Sequence, residues 1–105
     1  MMTSTLIRSF HIAGFIYYEG VFAFKELSIG TQLTLEREGS NGYDPKAIAI
    51  YYGNKKLGYV PRADNTVLSM IMDAGHSIFT CVVQQVSADV HPAEQIRVGV
   101  YVNKV

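Results

Sequence analysis

Along most of the chain, apolar and polar positions alternate with a period of two. In EQIRVGVYVNK, residues 94–104, Ile96, Val98, Val100 and Val102 fall on one face and Gln95, Arg97, Gly99, Tyr101 and Asn103 on the other. Successive strand side chains point to opposite faces, so this spacing predicts a strand buried on one side. TQLTLERE, residues 31–38, sets Leu33 and Leu35 against Gln32, Thr34 and Glu36. AIAIYY, residues 47–52, sets Ile48, Ile50 and Tyr52 against the small Ala47 and Ala49. IFTCVVQQV, residues 78–86, is β-branched and aromatic, as strands prefer. TLIRSFHIAG, residues 5–14, predicts a first strand ended by Gly14. Gly53-Asn54 sits between Tyr51-Tyr52 and Lys55-Lys56 and predicts a tight hairpin, because both residues tolerate positive φ. Its return strand, KKLGYV, is short and closed by Pro61.

One segment breaks the alternation. Val67, Leu68, Ile71, Met72 and Ala74 recur at three- and four-residue spacing, which predicts a helix over about residues 63–74. Asp64 or Asn65 is its candidate N-cap and Gly75 its C-terminal stop. YYEGVFAFKELSIG, residues 17–30, fits either a short helical turn near 22–28 or irregular chain. Five to six short strands with one main helix are most easily closed as a small antiparallel β-barrel of the OB-like or SH3-like kind, which removes exposed edges. The expected core holds Leu33, Leu35, Ile48, Ile50, Leu68, Ile71, Val98 and Val100.

Length and composition narrow the function. A chain of 105 residues, 49% apolar, is read as one small folded domain over residues 1–105. No apolar run reaches the roughly 18 residues that span a bilayer, so no membrane association is expected. The start, MMTSTLIRSF, lacks the charged, apolar and small-residue regions of a signal peptide, and cytoplasmic placement is the default expectation. Nine basic residues balance nine acidic ones, which argues against a strong electrostatic nucleic-acid binder. The balance is uneven, however. Residues 37–62 carry five cations, Arg37, Lys46, Lys55, Lys56 and Arg62, against the carboxylates of Glu38 and Asp44, a local net charge of plus three. Such a patch can hold a few phosphates but not a long duplex.

No catalytic constellation is visible. His11, His76 and His91 lie in different elements and lack metal-pair spacing. Cys81, the single cysteine, has no thiol partner and sits in an apolar strand, where it acts as a small hydrophobe. There is no nucleophile elbow and no phosphate loop. The expectation is a protein that is not an enzyme and needs no cofactor or metal.

The stretch EGSNGYDPKAIAIYYGNKKLGYVPR, residues 38–62, is richer than a connector requires. Asp44 before Pro45 forms turns well, and on the plainer reading Asp44 caps the loop while Tyr43 packs on the barrel. The alternative is a binding cleft. Tyrosine offers a π-face to a base, aspartate accepts from a hydroxyl, and lysine and arginine meet phosphate, the components of a single-strand nucleic-acid site.

Three stretches together resemble the HIRAN domain family over about residues 8–86, and the last strand too: FHIAGFIYYEG, LSIGTQLTLEREGSNGYDPKAIAIYYGNKKLGYVPR, and a helix ending MIMDAG. The matching features are the Tyr-Tyr after the first strand, the G-x-x-L-x-L-x-R-E strand, the N-x-Y-D-x-x-A-I turn and the hydrophobic-Gly-Tyr-Val-Pro step. The resemblance implies a small modified OB-like barrel. In fork-remodelling helicases such a domain captures the 3′-hydroxyl end of single-stranded DNA. Position by position, it implies that Tyr17 stacks near the terminal bases and that Asn41, Tyr43 and Asp44 form the pocket loop, with the Asp44 carboxylate on the hydroxyl. It also implies that Arg62 meets a phosphate; Lys46 and Tyr59, from the residues of the 38–62 stretch themselves, complete the expected nucleic-acid-binding set. Ile16 stands where 3′-end binders carry an arginine, and Tyr59 where they carry a histidine, so one phosphate contact is lost and one stacking surface gained. The expected partners are single-stranded DNA or DNA 3′ ends in repair or processing, with a helicase or nuclease as protein partner. The rival expectations are a protein-interaction module with a vestigial DNA pocket, favoured by zero net charge and Ile16, and a small hydrolase built on Asp44.

Overall fold

The computed structural model describes residues 4–103. The chain runs β1 (Ser4–His11), a 3-10 turn (Phe15–Tyr17), α1 (Gly20–Ala23), a second 3-10 turn (Phe24–Glu26), β2 (Gln32–Arg37), β3 (Ile48–Tyr52), β4 (Lys55–Tyr59), α2 (Arg62–Asp73), β5 (Phe79–Val86), a third 3-10 turn (Pro92–Glu94) and β6 (Ile96–Asn103). The ambiguous 17–30 segment is thus largely helical turns. The predicted last strand also included Lys104, which lies outside the described residues.

All strand pairs are antiparallel, and the six strands form one sheet in the order β1-β6-β5-β2-β3-β4. β2 is the joint. Gln32 and Leu33 pair with β5, whereas Thr34 to Arg37 pair with β3. The expected barrel is not closed by a continuous ladder. The two edges meet through the chain just beyond β1: Ala13 and Tyr59 exchange both N–H···O contacts at 2.9 Å, and further on the Glu19 N–H donates to the Lys56 carbonyl at 2.8 Å.

That meeting fixes one residue type. Gly58 has φ +148°, and a Cβ there would lie 2.4 Å from the Ala13 carbonyl oxygen and 2.7 Å from Ile12. A side chain at this position would force the two edges apart.

The apolar faces predicted from the alternation make the core. Ile48, Ile50, Leu57, Leu68, Val98 and Val100 are fully buried, and Leu33 and Cys81 are nearly so. Cys81 is a free thiol that burial pushes up to about 12, so it is inert at neutral pH. Leu35 packs against the core only in part, and Ile71 is half-buried outside the core cluster. The reason is the rotation of α2, which packs through Asn65, Leu68, Ser69 and Met72 and leaves Val67 outward.

The ends of α2 also differ from expectation. Pro61, extended at ψ 149°, occupies the N-cap position, so Asp64 and Asn65 lie inside the first turns rather than capping them. Gly75 is the predicted stop. At φ +92° it completes a Schellman ending, with its N–H on the Met72 carbonyl at 3.0 Å and the His76 N–H on Ile71 at 3.3 Å. Among the described residues no helix is long and apolar enough to cross a membrane.

Gly58→Ala should lower stability by roughly 1–3 kcal/mol from backbone strain alone, with the clash on Ala13 adding to it. Gly42→Ala, where a Cβ meets nothing within 4 Å, should be close to neutral. Denaturant midpoints of the two variants test this; equal midpoints would show that the edge-to-edge bridge tolerates expansion.

Candidate nucleic-acid interface

The loop between β2 and β3 is built by its own side chains. Asn41 Oδ1 accepts from the Tyr43 N–H at 2.8 Å and the Asp44 N–H at 3.1 Å. Asp44 Oδ1 accepts from the Lys46 N–H at 2.9 Å. These are the local Asx bonds that make such residues turn formers. Arg37 grips the returning limb from beneath, donating to the carbonyls of Ala47 at 2.7 Å and Pro45 at 3.0 Å. The same guanidinium pairs with Asp73 of α2 at 2.8 and 3.0 Å.

Helix α2 fixes the loop from the other side. Asn65, only 2% exposed, donates from Nδ2 to Asp44 Oδ2 at 2.9 Å. Arg62 donates to the Tyr43 carbonyl at 2.8 Å, and its Nε lies 3.6 Å from Asp44 Oδ2. The Lys46 N–H, then Asn65 and Arg62, hold the Asp44 carboxyl below the usual carboxylate range. It is therefore an oriented anion at neutral pH, with one oxygen bonded to the loop and the other to the helix.

Facing this loop is the turn after β1. The Ala13–Tyr59 bridge sets Gly14, Tyr17 and Tyr18 beside β4. Tyr17, Asn41, Tyr43, Asp44, Tyr59 and Arg62 line one concavity of about 300 Å³, although 45 positions of sequence separate the first from the last. Tyr43 and Tyr17 are 93% and 82% exposed, so both rings are open to a ligand. Lys46 does not line this concavity. It lies in an adjoining one, of about 400 Å³, that shares Tyr43, Asp44 and Arg62.

Tyr59 is committed to a network. Its hydroxyl donates to Glu38 Oε1 at 2.7 Å, Lys56 Nζ donates to Glu38 Oε2 at 2.7 Å, and Asn41 Nδ2 donates to Glu38 Oε1 at 3.1 Å. The Tyr59 ring meets Tyr18 edge-on at 5.5 Å, and Lys56 Nζ lies 4.5 Å from the Tyr59 ring centre and 5.1 Å from that of Tyr18. What Tyr59 offers a ligand is ring surface rather than its hydroxyl.

The plus-three patch expected from composition is largely consumed inside the fold. Arg37 pairs with Asp73, Lys55 with Glu26 at 3.2 Å, Lys56 with Glu38, and Arg62 loosely with Asp44. Among these five cations only Lys46 has no carboxylate within ion-pair distance among the described residues. Ile16 is 52% exposed and does not line the concavity. Among the described residues no group of three or more His, Cys, Asp or Glu side chains could hold a metal.

Four residues of this architecture were not among the expected site residues: Tyr18, Glu38, Lys56 and Asn65. In the sequence Lys56 and Glu38 counted only as charges of the 37–62 patch, and Asn65 as a candidate helix cap. The bonds Lys56–Glu38, Tyr59–Glu38 and Asn65–Asp44 join residues 18 to 21 positions apart, beyond any local sequence signal.

Burial opposes charge on Glu38, but the bonds from Lys56, Tyr59 and Asn41 outweigh it and hold the carboxyl below its usual range. Burial likewise opposes charge on Lys56, while Glu38 and Tyr59 raise its pKa. A lowered carboxyl stabilises the fold above its unfolded pKa, about 4.3, and that contribution is lost as pH falls through the lower folded value. A raised lysine stabilises below about pH 10.4 and loses its contribution as pH rises through its folded value. Glu38→Gln should therefore be less stable than the native chain at pH 7, with the gap narrowing toward pH 3. A gap in denaturant midpoint that stays constant over that range would remove Glu38 from the charge network.

The HIRAN domain family model matches residues 8–104. No curated protein matches the sequence. Among solved structures, a Lactobacillus plantarum protein superposes with TM-score 0.82 at 21% identity, the match covering 100% of both chains. The HIRAN domain of human HLTF superposes with TM-score 0.70 at 24% identity, covering 95% of this chain and 78% of that one. At these identities the structural likeness speaks for the fold. With the family model spanning nearly the whole chain, the protein belongs to the HIRAN domain family, whose members are generally DNA-binding rather than catalytic.

Proposed function

We propose that this chain works as one non-catalytic domain that binds single-stranded DNA and reads its free 3′ end. The observation that carries this reading is the concavity in which two exposed rings, Tyr17 and Tyr43, flank an oriented, ionised carboxylate, Asp44. Rings that protrude at 82% and 93% exposure have faces free to take a stacked partner. A base is flat and stacks on such a ring, and each stacked base is worth roughly 1–3 kcal/mol. The carboxylate repels phosphate but accepts well from a hydroxyl, so the group it suits is a strand terminus. Arg62, 74% exposed on its side chain, is the cation nearest to that position. DNA processing or repair is the setting in which free 3′ ends arise.

A second reading has its own support. Ile16, Val21 and Phe22 are 52%, 65% and 77% exposed on the turn and helix next to Tyr17. With most nearby cations already paired, a protein partner suits this surface. Fluorescence polarisation with a labelled oligonucleotide separates the two readings, since a protein-interaction module gives no salt-dependent binding at low ionic strength.

Affinity should be modest, with a shallow dependence on salt, because few phosphates can be neutralised. Tyr43→Ala should leave the thermal midpoint unchanged, since the Tyr43 backbone holds the loop and its ring does not. The same change should weaken binding by roughly 1–3 kcal/mol at every salt concentration. Unchanged affinity would remove Tyr43 from the site.

Asp44→Asn keeps an acceptor toward Lys46 or Asn65 but removes the charge. It should weaken binding to a strand with a free 3′-hydroxyl and spare, or improve, binding to the same strand with a 3′-phosphate. An equal loss on both strands would mean that Asp44 acts only by holding the loop. RNA of the same sequence is the third arm, and binding equal to that of DNA would withdraw the DNA preference.

A further inference from the structure

Of the four asparagines in the chain, only Asn41 precedes a glycine. Gly42 is exposed, and a Cβ there would meet nothing within 4 Å. Its N–H takes no hydrogen bond among the described residues. The Asn41 side chain is the opposite, with both polar atoms held. Oδ1 accepts from the Tyr43 N–H at 2.8 Å and the Asp44 N–H at 3.1 Å, and Nδ2 donates to Glu38 Oε1 at 3.1 Å. A free, uncrowded backbone nitrogen therefore follows directly on a side-chain amide kept in place by three bonds.

We propose that Asn41–Gly42 is a self-modification site of the loop, where the asparagine amide converts to a carboxylate at a rate set by those three hydrogen bonds. The co-reactants are hydroxide and water. Hydroxide takes the Gly42 N–H proton, the nitrogen bonds to Asn41 Cγ, and the tetrahedral centre expels Nδ2, which takes a proton from water and leaves as ammonia. Water then opens the five-membered imide. Breaking the new Gly42 N–Cγ bond gives aspartate, and breaking the original peptide bond gives isoaspartate. Glycine favours ring closure because it has no Cβ to crowd the nitrogen and its backbone turns freely. Cγ must swing onto that nitrogen, so Oδ1 and Nδ2 must first be released. The product no longer fits the loop. Aspartate faces Glu38 Oε1 with an oxygen where an N–H stood, and attraction becomes repulsion between like charges. Isoaspartate carries the main chain through the former side-chain carbonyl, which lengthens the loop by one methylene and removes the acceptor of the Tyr43 and Asp44 N–H groups. Either product releases Tyr43 and Asp44 from their fixed positions. The modification depends on the loop alone, whatever ligand the face takes.

The test incubates the full chain at mildly alkaline pH, folded in buffer and unfolded in guanidinium, and follows every asparagine by peptide mass. Asn41 should convert before Asn54, Asn65 and Asn103, with isoaspartate among its products. From the net strength of three hydrogen bonds, the folded chain should convert about a hundredfold more slowly than the unfolded one. Glu38→Ala, with one bond gone, should convert about fivefold faster than the native chain. Lys55→Ala, whose ion pair with Glu26 lies elsewhere, should keep the native rate. Gly42→Ala should fold as the native chain does and convert far more slowly. Aged native chain and Asn41→Asp should both bind an oligonucleotide with a free 3′-hydroxyl more weakly than fresh chain. Equal rates folded and unfolded, or equal rates for the native chain and Glu38→Ala, would overturn the control by hydrogen bonds. Conversion of Asn54 as fast as Asn41, or of Asn41 in Gly42→Ala at the native rate, would overturn the site. If fresh native chain binds no oligonucleotide, the single-strand reading falls, and the mass measurements still decide the modification.

Discussion

Two backbone hydrogen bonds between Ala13 and Tyr59 hold the functional face together. They join edges that the strand order places at opposite ends of a six-stranded sheet. Together with the Glu19 N–H on the Lys56 carbonyl at 2.8 Å, they fix the turn carrying Tyr17 and Tyr18 against β4 and so opposite the loop carrying Tyr43 and Asp44. Each bond is worth only about 1 kcal/mol net. Their effect is geometric, because they turn an open sheet into a cupped one. The absence of a side chain at Gly58 is the steric condition for that contact.

The same bridge explains the state of Tyr59. Pulled in beside Tyr18, its ring is partly covered and its hydroxyl needs a partner, which Glu38 supplies. Glu38 in turn needs a cation, which Lys56 supplies. Each link answers a desolvation cost created by the one before it. The network thereby uses up charge that composition assigned to the ligand. The face is accordingly less basic than its residues suggest, and of the five cations in residues 37–62 only Lys46 has no carboxylate within ion-pair distance among the described residues.

On the opposite wall the loop is over-determined. Asn41 bonds to it from within, Arg37 from the end of β2, and Asn65 and Arg62 from α2. A binding group is most effective when its supports are rigid. Asp44 serves both readings of the loop: it caps the turn, as the plainer reading had it, and in doing so is fixed as an ionised acceptor at the mouth of the concavity.

The six strands, the Gly53-Asn54 hairpin, the α2 helix and most of the core were legible in the sequence. Side-chain periods of two and 3.6 are properties of neighbouring residues, and Gly75 marks its stop through its own backbone freedom. The motif Asn41–Tyr43–Asp44 was also legible, because Asx bonds span two or three residues. Other features depended on distances that no local pattern encodes. Whether the sheet closes as a barrel depended on how far β1 runs beyond its last pair with β6. Which face of α2 turns inward also lay outside the local pattern: Asn65 faces Asp44, 21 positions away, and Ile71 lies outside the core cluster. The fate of each charge depended on which carboxylate the fold brought within about 3 Å, since ion pairing decays with distance and sequence gives separation along the chain, not through space. The sequence by itself determined the elements and the chemistry available on the face; the tertiary structure decided which of that chemistry was left free to meet a ligand.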